Sequence, residues 1–76
     1  MELQNFIRNF ADQFENTDAS LFTSGTVYKE LDEWSSLMAL SIIAMIDEEY
    51  GVLIKGIDIR TSTTIEDLFN IVKSRK

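Results

Sequence analysis

Apolar residues recur at helical spacing in three separate segments, and nowhere does a period-two alternation run long enough for a paired strand. In the first segment Leu3, Phe6, Ile7, Phe10 and Phe14 fall at i, i+3, i+4, i+7 and i+11, with Glu2, Arg8, Asp12 and Glu15 off the stripe. This predicts a helix over 2–15 whose phenylalanines are core rather than a cofactor box. Residues 16–35 read as a long connection, in which Leu21, Phe22, Val27, Tyr28, Leu31 and Trp34 are scattered apolar anchors, with a helical turn near Asp18–Phe22. A central helix is predicted over 36–50, capped at its start by Ser35 or Ser36 and ended by Gly51 in the left-handed position. Val52-Leu53-Ile54 is β-like but has no partner run, and residues 57–60 leave room for one helical turn. The last helix begins at Thr63 or Thr64, with Glu66 or Asp67 at capping-box spacing, and continues through Ile65, Leu68, Phe69 and Val72. The fold class expected is therefore all-α: a four-helix bundle of three main helices and one short one, with a long first loop, in a single domain spanning 1–76.

The central helix departs from the usual surface pattern. At 100° per residue Ala39, Ile42, Ile43, Ile46 and Tyr50 share the predicted core side. The predicted outward side holds Leu37, Ser41, Ala44 and Met45, with Glu48 at its end, and is apolar where charge is expected. A small chain that turns Leu and Met to water keeps that surface for a partner. Asp47, Glu48 and Glu49 crowd the last turn, where the helix dipole disfavours negative charge. Leu37, Ser41, Ala44, Met45, Asp47 and Glu48 are thus the candidate docking residues.

Composition narrows the chemistry. The 76 residues include neither cysteine nor histidine, which removes disulfides, thiolate or imidazole metal ligation and the usual Ser-His and Cys-His nucleophile pairs. No residue set supports an enzyme, and no metal site is expected. The net charge is −6 and uneven: residues 28–50 carry one Lys against six acids, while residues 51–76 carry five bases against three acids. Nucleic acid is excluded as a partner by that balance, whereas basic protein surfaces suit the acidic middle. The longest apolar run, Leu37 to Ile46, is half the ~20 residues a membrane span needs, and the N-terminal MELQNF is no secretory signal. A cytoplasmic monomer is the expectation.

Three motifs carry a family resemblance. Tyr28-x-x-Leu31-x-x-Trp34-Ser35-Ser36-Leu37, the run Ile46-Asp-Glu-Glu-Tyr-Gly51 and Thr63-Thr-Ile-Glu-Asp-Leu68 together closely resemble the acyl carrier proteins, over roughly residues 22–73. That resemblance implies a small acidic four-helix protein bearing a covalent 4′-phosphopantetheine arm, drawn from coenzyme A, on the serine of a D-S-L triplet at the start of the second helix. Ser36, directly before Leu37, matches that serine. The implied partners are a phosphopantetheinyl transferase and the acyl-loading and acyl-transferring enzymes of fatty-acid biosynthesis, polyketide synthesis or related lipid metabolism. Two departures stand out. Ser35 replaces the acid of the triplet, and Met38 and Ser41 stand where many relatives carry acids, so docking here should lean more on apolar contact. The rival reading is a protein-binding helical adaptor with the same fold and no prosthetic group.

Overall fold

A computed structural model describes residues 2–76, and in them the chain is all-helical with no strand. Helix α1 spans Leu3–Ala11, α2 Ser36–Tyr50, α3 Gly56–Thr61 and α4 Ile65–Arg75. Short 3₁₀ turns at Ala19–Leu21 and Tyr28–Glu30 punctuate the long connection between α1 and α2. The expected small helical bundle is what forms.

Helix α1 stops earlier than its stripe predicts. Beyond Ala11 the amides of Gln13 and Phe14 bond three residues back, to the carbonyls of Phe10 (3.2 Å) and Ala11 (3.0 Å). This tighter turn still delivers Phe14 to the core. The next amides, of Glu15 and Asn16, are taken by the Glu33 side chain at 3.0 Å each, so the chain leaves the helix axis there.

The core is one cluster with an aromatic heart. Phe10 is fully buried, with ring centroids 5.3 Å from Tyr28, 5.6 Å from Phe14, 6.2 Å from Phe22 and 6.4 Å from Phe6. Phe6 reaches across to Phe69 of α4 at 5.5 Å, edge to face. Ile42, Met45 and Ile46 from α2, Val52 and Ile54 from the extended link, and Ile65, Leu68 and Val72 from α4 complete the burial.

The long connection is ordered because its polar groups have partners as well as its apolar ones. Phe22 and Tyr28 are buried and Trp34 is half-buried, whereas Leu21, expected as an anchor, is exposed. Leu21 is exposed because the turn at Ala19–Leu21, held by the Asp18 carboxylate accepting from Ser20 N–H at 2.9 Å, sends Phe22 inward instead. The carbonyls of Thr26 and Ser24 accept the first amides of α4, from Ile65 and Glu66, at 3.1 Å each. Together with the Thr64–Asp67 capping box they satisfy that helix end.

Helix α3 is held largely by polar ties. The buried Asp58 accepts the Lys55 N–H at 2.8 Å and both guanidinium nitrogens of Arg75, at 2.5 and 2.7 Å. Tyr28 hydroxyl donates to the Ile59 carbonyl (3.2 Å) and meets the Ser62 hydroxyl, while Lys29 Nζ donates to the carbonyls of Ile59 and Arg60. Arg75, foremost, and the Lys55 amide hold the Asp58 carboxyl below the usual carboxylate range. A depressed folded-state pKa means the native state binds fewer protons than the unfolded chain. This stabilisation is therefore complete above the ordinary Asp value of about 4 and is lost as pH falls through the lower native one. Asp67 and Glu33, lowered by amide and hydroxyl donors, act in the same direction. Asp58→Asn should lower the urea midpoint at pH 7 without changing the slope, and should flatten the acid limb of the stability curve. An acid limb as steep as the wild type's would show that Asp58 contributes nothing to it.

Candidate functional site

The start of α2 holds two adjacent serines in different settings. Ser35 is extended (φ −159°, ψ 173°), and its hydroxyl accepts the Met38 N–H at 3.2 Å while its carbonyl accepts the Ala39 N–H at 3.0 Å. That is N-cap geometry. Ser36 is the first residue of the helix proper and is exposed, and its hydroxyl has no hydrogen-bond partner among the described residues. The amides of Ser36 and Leu37 also lack partners there, leaving two N–H groups at the positive end of the helix dipole. Such an end favours an anion, and a phosphodiester joined to Ser36 would meet no buried side chain at this exposed mouth.

The outward face of α2 differs from its sequence expectation in one residue, and it includes one residue the sequence reading missed. Leu37 is 73% exposed and Ala44 is exposed, as expected, and Ser41 is half-buried. Met45 is 5% exposed and belongs to the core beside Ile42 and Ile46, so it is not an outward residue. The helix is rolled toward Met45, which turns that residue inward and leaves Ala39 and Ile43 only partly buried. The same roll explains Leu40, 62% exposed, which lies opposite Ile42 on the helical wheel. That opposition was the available signal.

Asp47, Glu48 and Glu49 are exposed in the last turn, as expected. Their unfavourable placement is partly offset from another element: Lys76 Nζ donates to the Tyr50 carbonyl at 3.0 Å, placing a cation at the negative end of α2. Gly51 follows at φ +66°, its amide bonded to the Asp47 carbonyl at 2.9 Å, the left-handed stop predicted for it. The α2 surface thus reads as one exposed serine, an apolar patch of Leu37, Leu40 and Ala44, then an acidic end.

Elsewhere the chemistry is sparse. Among the described residues no group of three or more acidic, histidine or cysteine side chains is placed to hold a metal ion, and no pocket opens into the core. Trp34 packs against Phe14 (6.4 Å) and Tyr28 (5.0 Å), a packing role as expected. None of the described helices is long and apolar enough to cross a membrane. The chain matches no protein-family model, no curated protein and no solved structure.

Proposed function

We propose that this chain is an acyl carrier protein, not an enzyme, with Ser36 as the residue that holds 4′-phosphopantetheine. The observation that carries the reading is the division of labour at the helix mouth: Ser35 is spent on the cap, and Ser36 is presented with its hydroxyl unengaged. In the attachment step Ser36 Oγ bonds to the phosphorus that bears pantetheine in coenzyme A. The pyrophosphate P–O bond to adenosine 3′,5′-bisphosphate breaks, and the hydroxyl proton leaves to the transferase. The arm would supply the acyl-carrying thiol that this chain lacks. The unpaired amides of Ser36 and Leu37 would orient the phosphate.

The outward face of α2 is the surface read by a phosphopantetheinyl transferase and by acyl-loading and acyl-transferring enzymes, in the cytoplasm, for fatty-acid, polyketide or related synthesis. Leu37, Leu40 and Ala44 offer apolar contact, while Asp47 and Glu48 steer basic partners. Reversing Asp47 and Glu48 to lysine should slow loading by partner enzymes at low salt several-fold and leave the circular dichroism unchanged. Unaltered loading kinetics at low salt would remove the acids from the docking surface.

The defining experiment is intact-mass measurement after incubation with coenzyme A and a broad-specificity transferase. A gain of one arm, located by fragmentation to Ser36, is the expected result. Failure of every transferase from its own cell to modify the chain would favour a bare helical adaptor that uses the same α2 surface.

A further inference from the structure

We infer that Glu33 is a positioning residue for Ser36: its carboxylate pins the backbone from which α2 starts and thereby holds the acceptor hydroxyl in register for a transferase. The inference rests on the carrier reading. Glu33 Oε2 accepts the Glu15 N–H at 3.0 Å, and Oε1 accepts the Asn16 N–H at 3.0 Å and the Thr17 hydroxyl at 2.7 Å. Three donors from consecutive residues form a small concave array of the kind that binds a carboxylate. These donors, the Thr17 hydroxyl foremost, hold the Glu33 carboxyl below its ordinary range, so it is charged throughout neutral conditions.

The next residue adds a second anchor at the same place. Trp34 lies against Phe14, immediately before the three donors, and against Tyr28. A polar and an apolar anchor, adjacent in sequence, thus both grip the chain just beyond α1. Only Ser35 separates this double grip from Ser36, and Ser35 is itself fixed by its cap to Met38. The segment 33–36 therefore has little slack. Position 35 offers no carboxylate, so the placement of Ser36 depends on this backbone path rather than on a charge beside it. If loss of the grip cuts the correctly placed fraction to about a tenth, the apparent specificity constant falls about tenfold, because only that fraction is competent.

The test compares Glu33→Ala, Glu33→Gln and a core control, Val72→Ala, in the full chain, at a temperature where circular dichroism shows all to be folded. Glu33→Ala should lose about tenfold in transferase kcat/KM, and the Met38 amide should exchange with solvent about tenfold faster while α4 amides are unaffected. Glu33→Gln, which keeps an acceptor oxygen for Asn16 and Thr17 but sets its NH2 against the Glu15 N–H, should recover part of the loss. Val72→Ala, destabilised but intact at the helix mouth, should be modified at the wild-type rate. A folded Glu33→Ala modified as fast as wild type would overturn the inference alone. Equal losses in both Glu33 variants with unchanged Met38 exchange would point to direct contact with the transferase and also overturn it. A wild type that accepts no arm would remove the carrier reading, and this inference with it.

Discussion

Ser36→Ala is expected to abolish uptake of phosphopantetheine completely while leaving the helix in place, and Ser35→Ala to do the reverse. Among the described residues Ser36 makes no hydrogen bond through its side chain, and it is exposed, so alanine there removes only the acceptor oxygen. Ser35 supplies the cap to Met38, so Ser35→Ala should cost about 1 kcal/mol of stability. That variant still presents Ser36 and should still be modified. Ser35→Asp keeps a capping oxygen and adds a negative charge where the dipole favours it. It should match or exceed the wild type in both stability and rate of modification. Intact mass and thermal unfolding on the three variants separate the roles. Modification that persisted in Ser36→Ala would move the site. A Ser35→Ala variant as stable as wild type would mean the cap contributes nothing.

Phe10→Ala should have the largest effect on folding. Phe10 is fully buried and its ring neighbours Phe6, Phe14, Phe22 and Tyr28, so it joins α1 to both parts of the long connection. Truncating a buried phenylalanine costs about 3–5 kcal/mol, part transfer and part cavity. At roughly 0.05–0.15 kcal/mol per residue, a domain of this size has about 4–11 kcal/mol in total. The variant should therefore lose roughly a third or more of its stability and unfold at a much lower urea concentration, and Phe10→Leu, which leaves a smaller void, should be intermediate. Urea titration followed by circular dichroism reads both. A loss below about 1 kcal/mol would mean the aromatic cluster closes over the gap.

What the sequence made legible, and what it did not, divides along physical lines. The stripes of α1 and α4 are one-sided, so Phe6, Phe10, Leu68 and Val72 declared their burial. Cap residues declared helix ends: Thr64 with Asp67, and Gly51 with its positive φ, act locally and stand where expected. Helix α2 is apolar most of the way round, so its periodicity left the roll undetermined; for that reason Met45 was placed outward and Leu40 on neither face. Long-range polar ties left no periodic trace at all. Glu33 meets Glu15, Asn16 and Thr17, and Asp58 meets Arg75, across separations of 16 to 18 residues. The turn at Tyr28–Glu30 was hidden likewise, because Tyr28 is fixed by Ile59 and Ser62, about thirty residues on. At the candidate site both serines were visible in sequence, but only the geometry assigns the cap to Ser35.

The contact of Phe6 with Phe69 has a consequence for how the chain is born. Helix α1 is synthesised before α4 and packs against it, across a span of about 60 residues whose closure costs roughly 4 kcal/mol of chain entropy. At roughly 5–20 residues per second, the face of α1 waits several seconds for α4 to leave the ribosome. Throughout that interval Phe6 lacks the Phe69 ring, and the nascent chain shows water the part of the α1 stripe that α4 will cover. Folding here therefore waits on α4, because the face of α1 that it covers stays in water until α4 arrives.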